Sequence, residues 1–185
     1  RGLDYLHKKQ IVHCDLKPSN IYISLPDASV RPKMKLANFG LYRVCKNKLP
    51  LPLWKLAGSK GWLAPEVFLS KVKHFTYPMD IFSFGCTIGF ALSGGTHPFG
   101  DDKDARILRI KKLKPMIMTV EKLKSSGVNE AIASAVFHLV DSMVNCNPNL
   151  RPTTADLLKH GILSKKVVPL EQQKIFSPII IGINI

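Results

Sequence analysis

The chain has 185 residues and a mass of 20.6 kDa, enough for one domain or one large lobe and too little for two independent catalytic domains. Its 45% hydrophobic and 22% charged residues exclude global disorder, collagen-like repeats and low complexity. The formal charge of +14, divided as +9 over residues 1–90 and +5 over the remainder, favours phosphorylated or acidic partners, yet no aromatic-rich or zinc-knuckle pattern accompanies it, so solvated lysines are expected rather than a nucleic-acid surface.

In chain order, Leu3, Leu6 and His7 predict the end of an amphipathic helix that stops at Lys8, Lys9 and Gln10. Two short β-like runs follow, Ile21 to Ser24 and Met34 to Ala37, joined by a connection containing Pro26, Asp27 and Pro32, which suits a hairpin. From Phe39 to Trp62 no period is visible, and Pro50, Pro52, Gly58 and Gly61 predict a long surface loop. Helices are then expected over Pro65–Ser70, Met79–Leu92, Asp104–Leu113, Glu130–Val144 and Thr153–His160, with Thr153 or Thr154 capping the last. The tail from Val167 to Ile185 carries the uncharged run Pro178 to Ile183, which could pair as a strand.

Cys14, Cys45, Cys86 and Cys146 are far apart and form no metal-ligand spacing, which points to a reducing compartment. The apolar stretch Ile81–Leu92 is short of the about 20 residues that span a bilayer, so no membrane segment is expected. No targeting signal is visible, and residue 1 is Arg.

The chemistry concentrates in His13-Cys14-Asp15-Leu16-Lys17-Pro18-Ser19-Asn20, which sets a carboxylate, an ammonium and an amide just before a short strand. Asn38-Phe39-Gly40 follows the second strand. Here the sequence resembles the eukaryotic protein kinase catalytic domain, with its His-Arg-Asp-Leu-Lys-x-x-Asn loop and its Asp-Phe-Gly metal-binding motif. Ala64-Pro65-Glu66 resembles the family's Ala-Pro-Glu, Asp80 to Gly85 its Asp-x-x-x-x-Gly helix, and Arg151 the arginine that partners Glu66. More narrowly, Asn20 to Ser24, Gly61 to Glu66, Tyr77 to Ser83 and His97 to Gly100 are similar to the kinase portion of the unfolded-protein-sensing transmembrane kinase/endoribonuclease family.

The resemblance implies an α+β, mainly α fold: the C-terminal lobe of a serine/threonine kinase over residues 1–163, with a small β-hairpin and no N-terminal lobe, then a 164–185 tail of unknown role. It implies Asp15 as catalytic base, Lys17 as the cation that neutralises the transferred phosphoryl, and Asn20 and Asn38 as the positions that face Mg²⁺ and ATP. Ser59 stands where the serine/threonine type carries a threonine beneath the catalytic loop, while His13, Asp80, Glu66 and Arg151 are expected to be structural. His74, His97, His138 and His160 are too scattered for a metal site, and Trp54 and Trp62 read as core or loop anchors.

Two departures stand out. Asn38 replaces the aspartate that holds the catalytic metal, removing a full charge beside a hard dication and predicting impaired turnover. Cys14 replaces the arginine that pairs with an activation-loop phosphate, and between Leu41 and Gly58 there is no Ser or Thr, only Tyr42. A buried, inert thiol is expected at Cys14. No Gly-rich loop or strand lysine precedes Arg1, so the isolated chain is expected to be inactive, and too little chain follows Leu163 to carry over ribonuclease function. The resemblance further implies a protein substrate or protein partner, a homodimer and a cytoplasmic location, with the parent protein anchored at the endoplasmic reticulum membrane. The alternatives are a pseudokinase scaffold that binds protein partners and a basic RNA-associated module.

Overall fold

The computed structural model describes residues 1–24, 33–44, 59–69 and 74–164. The fold is built on α3 (Tyr77–Leu92), which has Pro78 in its first turn, where a missing N–H costs nothing. Apolar side chains leave this helix in two directions. Phe82 and Cys86 enter a larger core with Val136 and Val140, and Ile81 enters a smaller one with Leu3, Leu16, Leu139, Met143 and Leu157.

Gly85 and Gly89 let α6 (Glu130–Met143) lie close against α3. A Cβ at Gly85 would come within 2.7 Å of the Met143 Cβ, and one at Gly89 would meet Pro98, Met118 and Val140. Glycine is required there by space, since both positions are helical. On α6 the buried residues Ala133, Val136, Leu139, Val140 and Met143 recur at three and four positions, which is why this segment folds as an amphipathic helix.

The remaining helices are α1 (Gly2–Lys8), α2 (Pro65–Phe68), α4 (Lys103–Lys111), α5 (Val120–Ser125), α7 (Thr154–Lys159) and α8 (Gly161–Ser164). Side chains cap several of them: Asp102 accepts from the Ala105 N–H, Thr119 from Lys122, Asn129 from Ala131, and Thr153 forms a capping box with Asp156. Strands are few. β2 (Ile21–Ser24) pairs antiparallel with β3 (Lys33–Leu36), Ile21 facing Leu36 and Ile23 facing Met34, and β1 (Ile11–Val12) pairs antiparallel with β4 (Arg43–Val44).

The mainly helical fold with a small hairpin is the expected one. The stretch from Phe39 onward differs from a simple surface loop, because Phe39–Leu41 turns once as a 3₁₀ helix and Arg43–Val44 then pairs with β1. Two-residue strands and single turns have no period to read. α5 and α8, of six and four residues, were not expected either. The second hairpin strand begins and ends one residue earlier than expected, since Ala37 leaves the ladder to donate its N–H to the Asn20 carbonyl. The readings for residues 45–58, including Trp54 and Cys45, and for the tail 165–185 lie outside the described residues. No helix among the described residues is long and apolar enough to cross a membrane.

Candidate catalytic and metal-binding site

The loop between β1 and β2 is fixed from below. Val12 and Leu16 are wholly buried, so the chain must place the intervening His13, Cys14 and Asp15 at the core's edge. Asp80 of α3 organises that edge: its carboxylate accepts the His13 N–H at 2.8 Å, the Cys14 N–H at 3.0 Å and the His7 Nε2–H at 3.0 Å. These bonds satisfy a buried charge that would otherwise be costly, and they hold Cys14 at a left-handed φ of 70°. His13 Nε2 donates to the Ala37 carbonyl and its Nδ1 accepts the Asp15 N–H, which sets a neutral tautomer with the proton on Nε2. One histidine thereby ties the Asp15 loop to the chain that carries Asn38.

Asp15 is buried and has contacts on both oxygens. Oδ1 accepts the Ser59 N–H at 3.1 Å, while Oδ2 faces the Lys17 ammonium at 3.1 Å and the Asn20 Nδ2–H at 2.9 Å. Burial pushes the Asp15 carboxyl up, but the Ser59 N–H, the Lys17 ammonium and the Asn20 amide outweigh it and leave it below the ordinary carboxylate value. Lys17 also donates to the Ser59 hydroxyl at 2.5 Å. Asp15, Lys17, Ser59 and Asn20 therefore form one connected network, an ionised acceptor beside a held cation.

Asn38 sits at the other end, at a left-handed φ of 62°. Its Nδ2 donates to the Asn20 Oδ1 at 3.2 Å. The orientation of this pair follows from the network. Asn20 spends its amide N–H groups on the Asp15 carbonyl at 2.7 Å and on the Asp15 carboxylate, so its oxygen must point to Asn38, and only the Asn38 amide nitrogen can meet it. A carboxylate at position 38 would instead oppose oxygen to oxygen and leave room for a cation between them. As arranged, an Asn38 N–H rather than an oxygen faces the Asn20 oxygen, and the pair does not fit Mg²⁺, which prefers carboxylate oxygens in near-octahedral order. Among the described residues no group of three or more His, Cys, Asp or Glu could hold a metal.

Glu66 and Arg151 lie away from this network, in the core. Two parallel bonds of 2.7 and 2.8 Å join them, and Arg151 also donates to the Pro78 and Asn145 carbonyls and lies over the Phe82 ring at 5.1 Å. Trp62 packs partly buried on the core, edge-on to His97 at 4.5 Å. Burial, with Arg106 nearby, pushes His97 down to about 3. Cys14 is half-buried rather than the buried thiol expected; it sits at the core's edge in a left-handed turn, and its Sγ contacts the Val12 carbonyl. Tyr42 is exposed. Sequence reasoning read His7 only as a helix end. Its place on α1, one turn from Asp4, gave no sign that it would meet Asp80, 73 positions away.

The protein kinase domain family matches residues 1–163. The chain is 37% identical over 179 residues to the human serine/threonine-protein kinase/endoribonuclease IRE2, covering 92% of this chain and 18% of that protein. It is 36% identical over 167 residues to the serine/threonine-protein kinase/endoribonuclease ire-1 of Caenorhabditis elegans, covering 86% of this chain and 16% of that protein. It is 32% identical over 162 residues to an inactive serine/threonine-protein kinase/endoribonuclease IRE1-like protein of Arabidopsis thaliana, covering 87% of this chain and 27% of that protein. The chain thus spans less than a third of each of these relatives. The match over residues 1–163, with the ordered motifs and the networks that join them, makes the chain a member of the protein kinase domain family.

Proposed function

We propose that residues 1–163 form the catalytic-loop lobe of a serine/threonine kinase of the unfolded-protein-sensing kind, and that its metal-assisted phosphoryl transfer is impaired at Asn38, with residues 164–185 a tail outside that lobe. In this reading Asp15 accepts the proton of a substrate hydroxyl, Lys17 offsets charge on the transferred group, and Ser59 holds the lysine in place. The observation that carries the impairment is the hydrogen bond from Asn38 Nδ2 to Asn20 Oδ1, which occupies the oxygen a metal would need. Similarity to kinase/endoribonucleases, one of them named inactive, supports both halves of the reading. Kinase-domain membership supports a protein as substrate or partner, and similarity to a relative named a sensor for unfolded proteins in the ER, from Schizosaccharomyces pombe, supports a place at the ER.

The same hydrogen bond favours a second reading, a pseudokinase scaffold that keeps the lobe's shape and uses it to bind protein partners. Calorimetric titration of ATP with and without Mg²⁺ tests the impairment. Wild type should bind ATP no more tightly with the metal, and Asn38→Asp should gain a metal-dependent increase. Tightening of the wild-type complex by Mg²⁺ would remove the case for impairment, while, in a chain extended to a whole kinase domain, phosphate transfer with Asn38→Asp and none with Asn38 would favour the first reading over the scaffold.

A further inference from the structure

We infer that Arg106 is a positioning residue for the catalytic network: its guanidinium secures the turn of residues 59–62 and so keeps the Ser59 N–H and hydroxyl turned toward Asp15 and Lys17. The role rests on the proposed function, in which Asp15 and Lys17 act on a substrate hydroxyl, although the contacts stand without it. Ser59 serves both groups, giving its N–H to Asp15 Oδ1 at 3.1 Å and accepting from the Lys17 ammonium at 2.5 Å. On its other side the Ser59 carbonyl accepts the Trp62 N–H at 2.7 Å, which closes a turn over Lys60 and Gly61. The Trp62 carbonyl in turn accepts the Ser83 hydroxyl of α3 at 2.8 Å. The turn is therefore anchored to the core at Trp62, and Ser59 hangs from that anchor through two residues, exposed Lys60 and buried Gly61.

Arg106, from α4, fills the space beside Gly61. A Cβ on Gly61 would lie 2.8 Å from Arg106 Nε, 3.0 Å from Nη2 and 3.1 Å from Cζ, so the three nearest atoms all belong to this one side chain. Gly61 has no positive φ, and its backbone alone does not call for glycine; the guanidinium does. Three further observations give that guanidinium a task at the turn rather than a pairing of its own. Arg106 forms no ion pair among the described residues. Its Nε is buried without an acceptor, which is destabilising by itself and needs a compensating contact. Its Cζ lies 6.0 Å from the centre of the Trp62 ring, whose edges and faces also meet Phe90 at 5.6 Å and His97 at 4.5 Å. A planar group that meets Gly61 and Trp62 together limits how far the turn can rock, and Ser59 is the end that would move. Supporting contacts of this kind hold catalytic groups in their working geometry.

Residue-specific NMR on the whole chain tests this. In Arg106→Ala the Ser59 amide should exchange with solvent about tenfold faster or more, while the core amide of Val140 keeps its rate. The signal of the Lys17 ammonium nitrogen should shift and broaden, because Lys17 loses a fixed Ser59 hydroxyl while its contact with Asp15 remains. Loss of packing elsewhere in the lobe would not move that signal. Gly61→Ala should loosen Ser59 in the same way, since its methyl would displace the flexible end of Arg106 and leave the backbone in place. This variant keeps the test valid if Arg106→Ala fails to fold. Both changes remove one contact, so the double variant should exchange at Ser59 within about twofold of either single one. Arg109→Ala, three positions along α4, should leave Ser59 and Lys17 unchanged. Each readout belongs to the folded lobe and not to phosphate transfer, so failure of the kinase reading would leave these outcomes as they are. An unchanged Ser59 rate and Lys17 signal in Arg106→Ala would overturn the proposal. So would an equal effect of Arg109→Ala, or a double variant whose Ser59 exchange is accelerated by the product of the two single effects.

Discussion

Around Asp15 an ionised acceptor meets an ammonium, a backbone N–H and an amide N–H, whereas less than one side chain away two amides, Asn20 and Asn38, meet each other. The first arrangement keeps a charge buried and ready to accept a proton. The second is one N–H···O bond between neutral groups and leaves no charge for a cation. Asn20 belongs to both, giving its N–H groups to Asp15 and its oxygen to Asn38, so a change at one residue converts the metal end without disturbing the proton-accepting end. Under the proposed impairment, losing the metal need not cost the lobe its shape. The shape is held instead by the carboxylates of Glu66 and Asp80, whose hydrogen bonds go to other residues than the amide pair.

That contrast can be broken most severely at Glu66 and Arg151. Either residue changed to Ala strands a buried charge, and each should lower stability by about 3–5 kcal/mol in urea denaturation. The double variant should lose less than the sum of the two, and strict additivity would show that the pair is not coupled. Asp80→Asn comes next. One amide oxygen cannot serve the His13 N–H, the Cys14 N–H and His7 together, so a loss of about 2–3 kcal/mol is expected, and amide hydrogen exchange at His13 and Cys14 should accelerate.

A smaller effect comes from a buried base without a counter-charge. His97 is neutral in the fold and held down to about 3, while in the unfolded chain it titrates near its ordinary value of 6.5. Above that value both states are neutral and pH has no effect through this group. Below it the unfolded chain takes up a proton that the folded chain refuses, so stability falls with falling pH until the folded value is reached. Between pH 6.5 and 5 the loss through His97 should be about 2 kcal/mol. An NMR titration should find the His97 ring still neutral at pH 5, and a midpoint near 6.5 in the folded chain would contradict this.

Motif-bearing and periodic segments were legible in the sequence. Ile21–Ser24, the helix ending at Leu92, the helix beginning at Glu130 and the Thr153 cap all lie where periodicity or capping residues place them. The short pieces were not, because β1, β4 and α8 have two to four residues and no period to read, and α5 offered only its Thr119 cap. The chemical change at Asn38 could be read from residue identity, since a carboxylate and an amide differ in charge wherever they sit. That Asn38 would hydrogen-bond Asn20, and that His7 would reach Asp80, depends on how the loops fold back on α3, and no local spacing contains it.

The proposed impairment requires that the Asn20–Asn38 amide pair hold no cation. Side-chain amide NMR during a titration of Mn²⁺ with ATP reads this directly, because the paramagnetic ion broadens signals of groups near it. In wild type the Asn20 and Asn38 side-chain amides should keep their widths, and in Asn38→Asp the Asn20 amide should broaden at low Mn²⁺. Broadening of the wild-type Asn20 amide at the same Mn²⁺ concentration as in the variant would contradict the claim.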